Sequence, residues 1–257
     1  AAGATRRIGI RLDSKHGKEH MMYRWEQRVR YSEVNSTGRM SPSALINYFQ
    51  DCTNLESLDL GVGLDKLREM NLGWIILKWQ VTIKRLPKMG EKIYVCTFPY
   101  SFKGYFAFRN FLLEDENGEV IAAADSHWMM IDTTLGTTVK IPEVISGAYT
   151  LSERYDMENI RSKIVQGENP VTEECIVIGR QNLDTNGHVN NGQYIKMAEG
   201  FLPTEKKLSG IRVEYRNQSF LGDRIYPKVS DKEGEFVVSL ENAEGSAYAV
   251  VSFTTIE

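Results

Sequence analysis

Asn35-Ser36-Thr37-Gly38-Arg39-Met40-Ser41-Pro42 returns 149 residues later as Asp184-Thr185-Asn186-Gly187-His188-Val189-Asn190-Asn191. The second version carries an acid and an imidazole where the first has an amide and a guanidinium. The correspondence extends outward. At the same offset Leu45-Ile46-Asn47-Tyr48-Phe49-Gln50 falls on Tyr194-Ile195-Lys196-Met197-Ala198-Glu199. Gly90-Glu91-Lys92-Ile93-Tyr94 then matches Gly222-Asp223-Arg224-Ile225-Tyr226 at an offset of 132, and Leu113 to Gly118 matches Leu240 to Gly245 at 127. The order is kept while the offsets shrink, so the chain reads as a duplication whose second copy is the shorter.

Each copy has the same pattern. A short strand (Trp25 to Tyr31; Cys175 to Gly179) leads through a glycine turn to a helix with apolar residues at helical spacing (Leu45, Phe49, Cys52, Leu55; Tyr194, Met197, Ala198, Phe201). Long strands rich in β-branched and aromatic residues follow: Trp74 to Lys84, Lys92 to Tyr100, Tyr105 to Glu114 and Val120 to Asp132 in the first copy. Gly210 to Ser219, Ile225 to Ser230, Glu235 to Glu241 and Ala247 to Ile256 are their counterparts in the second. One helix followed by an antiparallel meander predicts a sheet wrapped round a central helix. The expected class is therefore α+β, a double hotdog with two sheets joined edge to edge. Its first half covers 21–150, a polar connector 151–172, and its second half 173–257. Residues 1–20 carry five basic side chains and no apolar core of a signal peptide; with His20-Met21-Met22 as a junction, they read as a vector-derived or disordered leader outside the fold.

Composition excludes several functions. A net charge of -3 and the lack of any paired-cysteine, helix-turn-helix or basic-aromatic pattern argue against nucleic-acid binding. No apolar run is long enough to cross a membrane as a helix. Cys52, Cys96 and Cys175 have no metal-like spacing and read as reduced thiols of a cytoplasmic protein. No metal or organic cofactor is implied.

The chemistry concentrates in the second loop. Asp184 and His188 supply an anionic partner and an imidazole that titrates near neutrality, and the Asn186 amide can hold a water or a carbonyl. Asn190-Asn191 stand where the helix begins, so the amides near Val189 and Asn190 are candidates to receive an oxyanion. The set fits water attack on an ester-like carbonyl. The same residues also make a good turn and helix cap with no chemistry attached.

The sequence resembles the acyl-(acyl-carrier-protein) thioesterases of plant plastids and bacteria. Asp184 to Asn191 is similar to that family's DxNxHVNN signature, and Trp74-Ile75-Ile76-Leu77 through Lys84-Arg85-Leu86-Pro87 to its tryptophan strand and basic turn. Phe108-Arg109-Asn110-Phe111, Ser126-His127-Trp128-Met129-Met130 and Val213-Glu214-Tyr215-Arg216 resemble further strands in the same order. The resemblance implies release of a free fatty acid, in fatty acid biosynthesis, from an acyl carrier protein bearing a phosphopantetheine-linked acyl chain. It implies catalysis by Asp184, Asn186 and His188, an acyl tunnel mainly in the first half, and substrate contacts at Trp74, Arg109 and Asn191. Where plant members carry a catalytic glutamate and a cysteine, this chain has Gln218 and Ser219. Gln218 can position but cannot take a proton, and Glu214, four residues back on the same predicted strand, would lie about 13 Å away. The basic residues Lys78, Lys84, Arg85, Lys88 and Lys92 offer a surface that could steer an acidic carrier. Other readings stay open: a thioesterase for coenzyme A esters, and a non-catalytic acyl-binding protein of the same fold. A hydratase of this fold is disfavoured, because its Asp-x-Asn-Pro-x-His spacing is absent. Either a monomer or a homodimer fits the duplication.

Overall fold

The computed structural model describes residues 6–13, 18–203, 206–232 and 234–256. Its elements run β1 (Arg6–Asp13), β2 (Lys18–Arg28), α1 (Pro42–Asp59), α2 (Leu64–Glu69), β3 (Leu72–Ile83), β4 (Lys92–Lys103), β5 (Phe106–Asp115), β6 (Val120–Asp132), β7 (Thr137–Thr138) and α3 (Glu143–Ser146). The second half follows with β8 (Val171–Thr172), β9 (Ile176–Val177), α4 (Asn191–Glu199), β10 (Lys207–Tyr215), β11 (Arg224–Lys232), β12 (Glu235–Glu241) and β13 (Ala247–Ile256).

Among the described residues all these strands join one antiparallel sheet, in the order β1-β2-β4-β5-β6-β3-β10-β13-β12-β11-β8, with β7 beside β6 and β9 beside β11. The order is a palindrome about its middle. β2-β4-β5-β6-β3 in one half answers β9-β11-β12-β13-β10 in the other, and the halves meet where β3 pairs antiparallel with β10, Trp79 opposite Val213. This is the double hotdog expected from the register of the repeats. The shrinking offsets have a physical counterpart, since β3 to β6 are each three residues longer than β10 to β13.

Helix α1 begins because Ser41 caps the Ala44 amide (3.2 Å) and Pro42 presets the first turn. Leu45, Phe49 and Cys52 recur on one face and are fully buried under the first half-sheet. Phe49, Phe111 and Trp79 pack ring on ring there, with centroids 4.9 to 6.2 Å apart. Helix α4 buries Tyr194, Ile195 and Ala198 in the same continuous core, and it ends at Glu199, two residues short of the expected Phe201. The two helices lie side by side and antiparallel, because Ser43 meets Glu199 while Asn47 meets Gly192.

Two expectations are corrected here. Residues 6–13, set aside as part of a leader, pair with β2 from Arg6 opposite Trp25 to Asp13 opposite Lys18, and so lengthen the sheet; 1–5 and 14–17 lie outside the described residues. The strand expected over Gly210 to Ser219 stops at Tyr215. Beyond it the Arg216 and Asn217 amides both donate to the Tyr248 carbonyl and the chain leaves the sheet.

The connector crosses the outer face of the sheet, held by side chains from both halves. Asn110 Oδ1 accepts the Tyr155 amide (2.9 Å), Gln80 Oε1 the Ile160 amide (3.0 Å), Glu214 Oε1 the Ile164 amide (2.8 Å) and Ser230 Oγ the Gly167 amide (2.9 Å). Under it Asp125 binds Arg154 (2.9 Å) and Tyr100 (3.0 Å), and the neighbouring His127 packs edge-on against Phe108 (4.7 Å). Burial, then Lys78 and Arg154, lower the His127 pKa to about 4.

An unfolded histidine takes its proton near pH ~6.5, so between that pH and about 4 the unfolded chain binds more protons than the fold. The stabilisation is present above ~6.5 and is lost as pH falls through the folded value. Urea unfolding at several pH values should therefore show a loss of stability on acidification that is smaller in His127→Gln. A second prediction concerns Arg109, 6% exposed, whose guanidinium is paired with Glu56 and bound to Thr97 Oγ1 (3.0 Å). Glu56→Ala strands that charge and should cost about 3–5 kcal/mol in denaturant unfolding, far more than a surface ion pair.

Candidate active site

The loop that opens α4 is built by Asp184. Its Oδ1 accepts the backbone N–H groups of Asn186 (2.8 Å) and His188 (3.2 Å), while its own N–H donates to the His188 carbonyl (2.7 Å). Gly187 closes the turn at φ +77°, a conformation that favours glycine. The sister loop is constructed in the same way. Asn35 Oδ1 accepts the amides of Thr37 (3.0 Å) and Arg39 (3.3 Å), its N–H donates to the Arg39 carbonyl (2.8 Å), and Gly38 sits at φ +71°. A carboxylate and an amide therefore do one structural task in two places, and Asp184 acts here on backbone N–H groups. What separates the loops is the residue four on. Arg39 turns back to the Leu86 carbonyl (2.9 Å). His188 is half-buried and packs edge-on against Phe220 (5.1 Å), and among the described residues its imidazole has no hydrogen-bond partner. Both ring nitrogens are therefore available to a ligand.

The expected oxyanion donors are corrected. The Val189 amide donates to the Ser219 carbonyl (3.0 Å) and the Asn190 amide to the Asn182 carbonyl (2.9 Å). Their counterparts in the first half, Met40 to Pro87 (2.9 Å) and Ser41 to Glu33 (2.9 Å), make the same ties. These bonds fasten each loop to its own half and leave nothing for a substrate. Asn190 goes further: its Oδ1 accepts the Gly192 amide (2.9 Å) and its carbonyl the Gln193 amide (2.9 Å). The donor left over at the start of α4 is the N–H of Asn191, which has no acceptor among the described residues. That group could not be singled out from sequence, because the carbonyls that occupy its neighbours come from distant parts of the chain.

The remaining expected site residues divide. Asn186 is exposed at the loop tip, two residues from His188. Gln218 is exposed past the end of β10 and Ser219 is fully buried, its hydroxyl 3.1 Å from Asp223. Glu214 cannot replace the acid, because it holds the connector at Ile164 and pairs with Arg216 (3.0 Å). Trp74 packs in a separate apolar cluster with Leu67, Met130 and Ile145, and Arg109 is committed to its buried pair with Glu56. The basic group is also largely compensated. Lys84 faces Glu119 (3.6 Å), Arg85 faces Glu91 (2.7 Å) and Asp115 (3.3 Å), and Lys92 faces Glu26 (3.1 Å). Beside the imidazole, sequence reasoning missed Phe220, 49% exposed, which is followed in the chain by the exposed Leu221. The arrangement offers an imidazole, a free helix-terminal donor and a greasy rim, which suit hydrolysis of an acyl ester or thioester.

Residues 20–149 match the family described as the acyl-ACP thioesterase N-terminal domain, and residues 169–254 match the acyl-ACP thioesterase C-terminal domain. Over 217 residues the chain is 25% identical to a chloroplastic acyl-(acyl-carrier-protein) hydrolase of Cuphea viscosissima, covering 78% of this chain and 53% of that protein. It is 26% identical over 207 residues to a chloroplastic palmitoyl-acyl carrier protein thioesterase of Gossypium hirsutum, covering 74% and 50%. The chain thus spans about half the length of the curated relatives it matches. Among solved structures, an acyl-ACP thioesterase from Bacteroides thetaiotaomicron shares the fold with a TM-score of 0.83 at 23% identity, covering 91% of this chain and 98% of the other. The 12:0-ACP thioesterase from Umbellularia californica gives 0.81 at 19% identity, covering 91% and 97%.

If Asp184 serves the loop as Asn35 does, Asp184→Asn should keep the fold nearly intact. Asp184→Ala frees two amides and should cost about 0.5–2 kcal/mol. Denaturant unfolding, with amide exchange at His188 as the local readout, separates the two variants.

Proposed function

This chain belongs to the acyl-ACP thioesterase family, and on that premise we propose that it hydrolyses the thioester of a fatty acyl chain on acyl carrier protein. The observation that carries the reading is the contrast between the two loops. They share their turn, their scaffold bonds and their place at a helix start, and among the described residues only the second carries an imidazole and a helix-terminal N–H that have no hydrogen-bond partner.

The substrate carbonyl oxygen sits at the start of α4, where the Asn191 N–H and the helix dipole stabilise negative charge. His188 takes a proton from water as the water oxygen bonds to the carbonyl carbon, and the tetrahedral oxyanion forms against that N–H. When the oxyanion collapses, the carbon–sulfur bond breaks and the phosphopantetheine sulfur leaves with the proton from the imidazolium. The products are a free fatty acid and the carrier's thiol. Asn186, exposed at the loop tip, steadies the water or the carbonyl, and Asp184 holds the backbone of His188 in place. Phe220 and Leu221 form an apolar rim for the incoming arm and chain. The acyl chain runs into the first half, under the longer sheet. The protein works in the cytoplasm, in keeping with free thiols at Cys52 and Cys175.

The test is free-thiol release from a panel of acyl-carrier thioesters of graded length, beside the matching coenzyme A esters. Turnover should depend on chain length and favour the carrier, and His188→Ala should lower it by about 10²–10⁴-fold with the fold intact. Near-normal turnover in a folded His188→Ala protein contradicts the assignment, and equal use of coenzyme A esters moves the acyl donor.

A further inference from the structure

Resting on the reading just given, we propose that Gln50, from the helix of the inactive half, holds the attacking water in the active site of the other half. The argument begins with the packing of the two helices. Glu199, at the end of α4, caps the start of α1: its carboxylate accepts the Ser43 amide (2.9 Å) and the Ser43 hydroxyl (3.0 Å). One turn along, a Cβ on Gly192 would collide with Asn47 Oδ1. These two contacts set an antiparallel register, and continuing it brings Gln50 across from the Asn190–Gly192 end of α4. Ser43, Asn47 and Gln50 are spaced i, i+4, i+7 and so share the face of α1 that meets α4.

The duplication makes the same point independently. At the offset of 149, Gln50 is the counterpart of Glu199 and Gly192 the counterpart of Ser43. The pseudo-two-fold that relates the halves exchanges the Glu199–Ser43 contact for one between Gln50 and Gly192. In the second half, however, the task of that contact is already done. Asn190 caps the Gly192 amide from within its own helix (2.9 Å), so Gln50 is not needed as a cap.

Its side chain is left with an acceptor to spare. The buried Oε1 of Gln50 has no hydrogen-bond partner among the described residues. An unpaired buried amide oxygen is costly to a fold, and a ligand at that place removes the cost. The atoms near it define the ligand. Among the described residues the Asn191 N–H is a donor without an acceptor and the Gln50 oxygen an acceptor without a donor, and a water can accept from the first and donate to the second. When the thioester carbonyl takes the N–H, the water keeps its bond to Gln50 and its other proton faces His188. An amide is no base, so Gln50 acts by placement. It supplies the anchor from the sister helix, while Gln218 is exposed three residues past the end of β10.

Gln50→Met keeps the length of the side chain and removes the acceptor. Because that oxygen has no partner among the described residues, the variant should melt at or above the wild-type temperature. Its kcat should fall about 10- to 100-fold with KM within about threefold, the pattern of a contact that counts in the transition state. Glu199→Gln, at the equivalent place in the other helix, is the structural control: it should lower the melting temperature more than Gln50→Met does and lower kcat less. Unchanged kcat in Gln50→Met overturns the inference, as does a loss of kcat that comes with a fall in melting temperature. An active wild type, a dead His188→Ala and a fully active Gln50→Met overturn it while leaving the thioesterase reading in place. A wild type inactive on every acyl thioester overturns both.

Discussion

The close approach of α1 to α4 is the constraint on which the site depends. The helices can touch because Gly192 has no side chain to meet Asn47, and the contact is locked at its other end by Glu199 on Ser43. Burial raises the pKa of the Glu199 carboxyl against the pull of those two hydrogen bonds, which marks how far the contact is withdrawn from water. With the helices in place, β3 and β10 are brought edge to edge and two half-sheets become one. The start of α4 then lies against α1, with Gly192 at Asn47.

Duplication has left a scaffold that tolerates divergence at a few points. Each loop is tied to its own half by two backbone bonds, each turn is closed by a glycine in the left-handed region, and each is spanned by a short acid or amide at its first position. These are backbone requirements, and several side chains meet them. The departures lie elsewhere: an arginine that folds back on a carbonyl against a histidine that does not, and a helix start that the sister helix's Glu199 also caps at Ser43 against one whose equivalent amide, Gly192, is capped by its own Asn190. The first half has its helix terminus filled by protein, and the second keeps one donor without an acceptor among the described residues.

Much of this was legible in the sequence, for reasons that can be named. Val120–Asp132, Glu235–Glu241 and Ala247–Ile256 read to the residue because their side chains alternate or run apolar between sharp turn signals. The double hotdog followed from the order of matched segments, which is a statement about topology. Bonds between parts distant in sequence were not legible. The end of β10 is set by Tyr248, and the occupied amides of Val189 and Asn190 by Ser219 and Asn182. Arg109 carries a charge that normally signals surface or ligand, and its partner Glu56 lies on a different element. The pairing of residues 6–13 with β2 was hidden by a polar composition that a strand at the edge of a sheet can carry.

One live site in a duplicated chain is the central claim, and binding stoichiometry tests it most directly. Calorimetric titration with an acyl-phosphopantetheine ketone, which cannot be hydrolysed, counts sites without relying on turnover. The account predicts one equivalent per chain, lost when bulk is placed at the start of α4 and kept when Arg39 is changed. Two equivalents per chain, or one that depends on the loop at Arg39, would contradict it.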